Sequence, residues 1–291
     1  MPEIHNYYLP YIRTGLGAKV DPSNNSENRL LVPTKLQVEG KKNEEIEPII
    51  HLYGPGDVVG FNEQAIIKTQ PVHNFNKFNA SLVPFVEFSE PDFLWRFSTH
   101  KNNNYWLPWL SLIVLESDRE FTTNNPSQAG LPPTITVNKL ESLPDLSGEW
   151  RWAHVHISDK EGLEMEEIKQ ILRVSPHKAV CRLMCPRRLK EFTHYTAFVI
   201  PTYRQGHEAA LGKTISSNLN AHSWIINTDG KIELPYYHQF EFRTAAGGDF
   251  ETLVRQLQPH PLENIGKRKI DCSQIGYDLN VAPSTLSLIH I

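Results

Sequence analysis

The sequence predicts a β-rich α+β fold, in which an N-terminal β-sandwich or barrel-like region is followed by a mostly antiparallel sheet with two or three helices. The chain of 291 residues contains 21 prolines and 16 glycines, and the prolines recur throughout the stretch from Pro33 to Pro144. Proline interrupts helices and ends strands, so this distribution favours many short strands joined by turns. Several segments alternate apolar and polar side chains, and in the second half they are mixed with helical patterns, which is typical of α+β proteins.

The first part of the chain reads as strands joined by turns. Residues 1–29 are predicted to be weakly ordered, because loop-forming residues dominate their second half. Residues 30–147 are predicted to form a β-rich domain. Its predicted strands are 30–38, 46–53, 58–61, 65–69 and 109–116. The last of these is continuously apolar (WLSLIVLE), which indicates a central strand covered on both faces. The aromatic segment 72–100 is predicted to be extended and pinned to a sheet by burial of its rings.

Residues 148–285 are predicted to form a second, α+β domain, because the composition shifts near residues 144–148. Its predicted strands are 151–157, 179–184, 193–200 and 234–243. Its predicted helices begin at Asp159, Tyr203 and Asp249, and the second ends at Gly212. In the strand 151–157, the side chains of Trp152, His154 and His156 are expected on one face, with small and aliphatic residues on the other.

Composition narrows the class of protein. The chain is 40% hydrophobic and 21% charged, which is ordinary for a soluble globular protein with a sizeable core. A net charge of -4 gives no basic excess, so no nucleic-acid partner is predicted. The longest apolar stretch, residues 106–115, is about half the length that crosses a bilayer, so no membrane span is predicted. The three cysteines and the absence of secretory-signal features predict reduced thiols and a cytoplasmic location.

The last six residues, 286–291 (LSLIHI), resemble the translation of a sequencing-library adapter. We therefore expect them to be an artefactual tail, and the natural chain to diverge at about Ser284 to Thr285 and to continue further.

The candidate chemistry rests on one pair of histidines. No nucleophile elbow, phosphate-binding loop or dinucleotide-binding glycine motif is present, so no cofactor is predicted. His154 and His156 are predicted to point the same way from one strand, which could place both imidazoles on a metal ion. A third ligand would have to come from His194 or His238. A hydrolase or other metal-dependent enzyme using this pair is therefore one alternative.

Two further interpretations concern cysteines and tryptophans. Cys181 and Cys185 are predicted to be buried free thiols rather than metal ligands or a disulfide. Exposed aromatic rings, such as those of Trp106, Trp109 and Trp152, would suit a carbohydrate- or peptide-binding module, which is another alternative.

Segments spread over nearly the whole chain resemble an uncharacterised family associated with gene clusters of phage-tail-like contractile injection systems. These segments are 8–16 (YLPYIRTGL), 52–58 (LYGPGDV), 84–88 (PFVEF), 91–95 (PDFLW), 108–110 (PWL), 152–155 (WAHV), 185–189 (CPRRL), 195–198 (YTAF), 240–244 (FEFRT) and 248–251 (GDFE). The resemblance implies a non-catalytic structural or assembly component of such a particle. Its partners would be other protein subunits, and the particle would assemble in the cytoplasm.

Overall fold

Short strands dominate the computed structural model, which describes residues 4–26, 29–38, 44–126, 128–224 and 230–246. The strands are β1 (Ile4–Leu9), β2 (Asn25–Ser26), β3 (Arg29–Pro33), β4 (Leu36–Val38), β5 (Glu44–Ile46), β6 (Ile49–Leu52), β7 (Ile66–Gln70), β8 (Phe75–Asn79), β9 (Phe85–Phe88), β10 (Lys101–Asn102), β11 (Tyr105–Trp106), β12 (Leu110–Glu116), β13 (Phe121–Asn124), β14 (Thr134–Val137), β15 (Ala153–Lys160), β16 (Ala179–Met184), β17 (His194–Pro201), β18 (Ile232–Pro235) and β19 (His238–Ala245). The helices are α1 (Met165–Val174) and α2 (Arg204–Ala210). The predicted β-rich α+β class is confirmed.

Three sheets stack into layers. The outer sheet has the strand order β1-β15-β16-β9-β7 and is antiparallel throughout. The middle sheet has the order β12-β17-β19-β8 and is antiparallel except for the β19–β8 pair. The third sheet, β13-β14-β18, is antiparallel. One cluster of buried side chains joins the outer and middle sheets, and a second cluster joins the middle and third sheets.

Strand β12 lies between these two clusters, and all seven of its residues are buried. Leu112 and Val114 pack in the first cluster, whereas Ile113 and Leu115 pack in the second. The predicted burial of both faces is therefore confirmed, although β12 is an edge strand of its sheet. The connection after β16 lies along this edge, because Arg187 Nη1 donates to the Val114 carbonyl oxygen at 2.9 Å.

Arg187 also forms an ion pair that is largely removed from solvent. Its Nη2 donates to Glu120 Oε1 at 2.9 Å, and Nη2 lies 3.4 Å from Glu116 Oε1. Burial opposes ionisation of Glu120, but the hydrogen bonds from Arg187 and from the Glu116 backbone outweigh it and lower the pKa of that carboxyl. The guanidinium thus joins the edge of β12 to the turn that follows it.

Residues 4–9 form a paired strand, within the segment 1–29 that is predicted to be weakly ordered. β1 pairs with β15 over its full length, from Ile4 opposite Lys160 to Leu9 opposite Val155. The Tyr7 hydroxyl donates to the Lys160 carbonyl and accepts from the Leu163 amide, each at 2.9 Å. The partner of β1 is about 150 residues away in the sequence, so local composition carried no signal of this pairing.

The predicted domain boundary at 147/148 does not divide the sheets. β9 pairs with β16, β12 with β17, and β14 with β18, so strands from both sides of residue 147 share all three layers. The described residues fall within one compact unit, Met1–Gly247. The predicted helix from Asp249 and the tail 286–291 lie outside the described residues.

Several element boundaries also differ from prediction. Residues 58–61 form no strand, because Phe61 packs edge-on against Phe88 and Phe93. The first helix begins after Glu164 rather than at Asp159, because β15 continues through Lys160. The predicted strand 234–243 is two strands, since the chain leaves the third sheet after Pro235 and enters the middle sheet at His238. Among the helices described, none is long and apolar enough to cross a membrane.

Candidate binding surfaces

Strand β15 places His154 and His156 on the outer face of the outer sheet. Ala153, Val155 and Ile157 alternate with them and are buried against the middle sheet. The alternation read from the sequence is therefore confirmed, and both imidazoles lie on the same face.

Neighbouring strands complete the histidine face, which we define as Tyr8, Glu87, His154, His156 and Arg182. Tyr8 lies opposite His156 in the β1–β15 register, and Arg182 lies opposite His154 in the β15–β16 register. Glu87 lies opposite Arg182 in the next pair. The Tyr8 ring stacks on His156 with centroids 5.0 Å apart and meets His154 edge-on at 5.3 Å. Arg182 Nε donates to Glu87 Oε1 at 2.9 Å.

The two imidazoles are held neutral at physiological pH. Burial, followed by the nearby Arg182 guanidinium, lowers the pKa of His154 to about 4. The same two causes lower the pKa of His156. His156 Nε2 lies 2.9 Å from Asn6 Oδ1, whereas His154 Nε2 is buried without a hydrogen-bond partner. A neutral imidazole can bind a metal, but Arg182 Nη2 lies 3.4 Å from His156 Nδ1 and brings a positive charge to the pair.

The structure does not bring a third histidine to this pair. His194 and His238 lie on the middle sheet, where His194 Nε2 is 3.4 Å from Glu241 Oε2 and His238 Nδ1 is 3.2 Å from Glu63 Oε1. Across the part of the chain that the structure describes, no three His, Cys, Asp or Glu residues are grouped to hold a metal ion. The geometry of the histidine face is that of an aromatic stack beside an ion pair.

Two of the three tryptophans proposed as a binding platform for a ligand are buried. Trp109 is 1% exposed, and its Nε1 donates to the Phe93 carbonyl at 2.8 Å. Trp106 is also buried, beneath the Arg13 guanidinium at 4.2 Å. The expectation that these rings are exposed is wrong, because their segment leads into the most buried strand of the fold. Trp152 is half-buried and lines a cavity beside Cys185.

That cavity has a volume of about 320 Å³ and lies along the edge of β12 and the 3-10 segment Leu146–Trp152. Cys181 and Cys185 are buried free thiols, as predicted. Burial raises the pKa of each to about 12, so neither is a thiolate at neutral pH.

Glu149, on the same 3-10 segment, was not identified from the sequence. Its side chain is completely buried, and Ser111 Oγ donates to Oε1 at 2.7 Å while Oε2 has no partner. Burial raises the pKa of this carboxyl to about 8, so the group is protonated at neutral pH. No sequence pattern marks this residue, because a glutamate between Gly148 and Trp150 resembles any surface residue in a turn.

A second exposed surface lies on the two-stranded ribbon formed by β4 and β5, which we call the apolar ribbon. Leu36 lies directly opposite Ile46 and Val38 opposite Glu44, so Leu36, Val38 and Ile46 share one face. Their side chains are 54%, 45% and 51% exposed. Gln37 and Glu45 occupy the other face. Gln37 and Glu45 are exposed as well, so the described residues cover neither face of the ribbon.

A scan of the sequence against protein-family models found no match, and searches of curated proteins and of solved structures found none either.

Proposed function

We propose that this chain is a non-catalytic structural or assembly subunit of a phage-tail-like contractile injection particle. The observation that carries the proposal is the apolar ribbon. A subunit that works inside an assembly keeps part of its apolar surface for its neighbours, and exposed apolar patches are typical of protein–protein interaction sites.

The energetics of the ribbon favour a protein partner. An isolated two-stranded ribbon is only marginally stable in water and needs a third strand or a packed face. The ion pair between Lys35 Nζ and Glu47 Oε1, at 2.8 Å, is well exposed and contributes little. Burial of Leu36, Val38 and Ile46 against a neighbouring subunit would contribute roughly 1 kcal/mol or more for each side chain. The partner is thus expected to present an apolar surface.

The histidine face offers a second surface of the kind found at protein interfaces. Tyr8 is 59% exposed and rigidly stacked, and Arg182 lies over the Phe85 ring at 4.4 Å. Tyrosine and arginine are enriched at interfaces and among the residues that contribute most to binding. The resemblance of segments throughout the chain to the contractile-system family supports the same proposal.

The test is to express the chain together with the genes that neighbour its own, and to isolate particles by gradient centrifugation. Mass spectrometry of the particle fraction should detect the chain. Replacing both Leu36 and Ile46 with Asn should remove it from that fraction, while Leu82→Asn, which changes another exposed leucine, should not. Circular dichroism of each purified variant checks that it is folded.

Two outcomes would count against the proposal. One is a wild-type chain that never sediments with a particle, and the other is a ribbon variant that still does. Stoichiometric zinc in the purified protein, lost when His154 and His156 are both replaced by Ala, would favour the metal-dependent enzyme instead.

A further inference from the structure

A cavity of about 370 Å³ lies where the segment after β1 meets β6 and the loop before β10. Its lining combines cationic, apolar and aromatic side chains. The lining residues are Arg13, Thr14, Gly17, Leu52, Tyr53, Asp92, Arg96 and Phe97. None of the residues that line this cavity belongs to the histidine face.

Arg13 is the unusual group in this cavity. Its Nη1 donates to the Ser98 carbonyl at 2.7 Å, and its guanidinium lies over the buried Trp106 ring at 4.2 Å. Nε is buried without a hydrogen-bond partner, and Nη2 donates to no described residue. No carboxylate of the described residues forms an ion pair with it, although arginine is seldom buried without one.

The nearby carboxylates are already occupied. Asp92 Oδ1 accepts from Arg96 Nη2 at 2.7 Å, and Asp92 Oδ2 accepts from Thr14 Oγ1 at 2.6 Å. Arg96 is also paired with Glu90. The positive charge of Arg96 is therefore balanced inside the chain, whereas that of Arg13 is not. Burial accordingly lowers the pKa of Arg13 to about 10, even though Tyr203 and Asp92 act in the opposite direction.

The edge of Arg13 formed by Nε and Nη2 lies against Gly17, which has no side chain to fill the position in front of that edge. A Cβ at Gly17 would lie 3.4 Å from Nε and 3.5 Å from Nη2. In a guanidinium group, the N–H groups of these two nitrogens are parallel, so this edge can donate two hydrogen bonds to one carboxylate. Arg13 and Gly17 both line the cavity, which places this edge at the cavity wall.

We propose that this cavity binds a monocarboxylate that carries an apolar group, with the carboxylate on the Nε–Nη2 edge of Arg13. Leu52 and Phe97 provide an apolar wall, and Tyr53 provides an exposed ring at the cavity. A planar carboxylate matches the fork of the guanidinium. A phosphate dianion fits less well, because the single unpaired positive charge of Arg13 offsets only one of its two negative charges. The proposal is independent of the particle function.

The test uses the full chain and NMR of the arginine side chains, with benzoate as the probe. A carboxylate that accepts from Nε should shift the Arg13 Nε–H resonance saturably. Benzamide, which has the same shape without the charge, should not. Gly17→Ala should weaken benzoate binding by about tenfold or more, because the methyl group blocks the edge and removes at least one charge-assisted hydrogen bond.

Matched variants distinguish a blocked Arg13 edge from a misfolded protein. The Cβ at Gly17 meets only Arg13, at ordinary contact distances, so Gly17→Ala is expected to fold. Gly60→Ala adds a methyl group with no atom within 4 Å and should bind benzoate like the wild type. Tighter binding of N-acetylphenylalanine than of benzoate would identify a peptide C-terminus as the source of the carboxylate. Tighter binding of benzoate would identify a free small acid. An Arg13 resonance that does not move with either acid, or undiminished binding by Gly17→Ala, would overturn the proposal.

Discussion

Replacing Glu149 with Gln should change how the stability of the protein depends on pH. The folded carboxyl keeps its proton up to a pKa of about 8, because it is completely buried, whereas the ordinary pKa is 4.5. Between these two pH values the unfolded chain binds fewer protons than the folded one. The free energy of unfolding therefore falls as pH rises through this window.

The size of the effect follows from the two pKa values. Each pH unit within the window costs about 1.4 kcal/mol, so the full window of about 3.5 pH units corresponds to about 5 kcal/mol. Glutamine does not titrate, and its amide oxygen can still accept from Ser111. Relative to the wild type, Glu149→Gln should thus gain about 4 kcal/mol in free energy of unfolding between pH 5 and pH 8.

Urea unfolding followed by far-UV circular dichroism at pH 5, 6, 7 and 8 measures this difference directly. Comparison with the wild type at each pH cancels the contributions of the other titrating groups. Glu141→Gln is the matched control, because the Glu141 side chain is 81% exposed and should leave the pH profile unchanged. If the profiles of Glu149→Gln and the wild type run parallel, the buried carboxyl is ionised in the folded protein and the reasoning fails.

Three further predictions concern the core, the ion pair on β12 and the histidine face. Trp109→Ala should lower the free energy of unfolding by about 3 to 5 kcal/mol, and a loss below about 1 kcal/mol in urea unfolding would contradict its place in the core. Arg187→Gln should cost about 3 kcal/mol at pH 7, because the largely buried Glu120 loses its counter-charge; the exposed neighbour Arg188→Gln should cost almost nothing, and equal losses would refute this account. His154 should stay neutral down to about pH 5, because burial and the Arg182 charge lower its pKa to about 4, so an NMR titration that shows a midpoint near 6.5 would be incompatible with the buried geometry.

Sequence periodicity identified which face of a strand is buried, but not which strand lies beside it. The alternation of residues 151–157 correctly predicted the direction of His154 and His156. The predicted bounds of β16 agree with the structure, and α2 ends before Gly212, which has a φ of +67°. The burial pattern of a strand and the end of a helix are both determined by nearby residues. The pairing of β1 with β15 joins distant segments, and no local pattern encodes it.

The candidate functional groups were harder to predict for the same reason. Glu149 is exceptional only because its 3-10 segment packs against β12. Arg13 is exceptional only because its guanidinium lies on Trp106 and no carboxylate of the described residues is paired with its free edge. Neither residue type nor spacing carries that information. The histidine pair was visible in the sequence because two imidazoles on one strand share a face, yet its neighbours Tyr8 and Arg182 come from other strands.

The layered arrangement separates the groups that stabilise the fold from those available to a partner. Strands β12 and β17 of the middle sheet are almost entirely buried, whereas β19 and β8 carry exposed side chains. The surfaces open to other molecules therefore include this side of the middle sheet, the outer sheet and the ribbon. The apolar ribbon, Tyr8 and the Arg13 cavity all belong to the first half of the chain. Leu36, Val38, Ile46 and Tyr8 belong to neither packed cluster. Substitutions at Leu36, Ile46 or Gly17 should therefore change binding with little effect on stability, whereas substitutions on β12 should do the reverse. Such a division is expected of a subunit whose interior is fixed by folding and whose surface is completed by its neighbours.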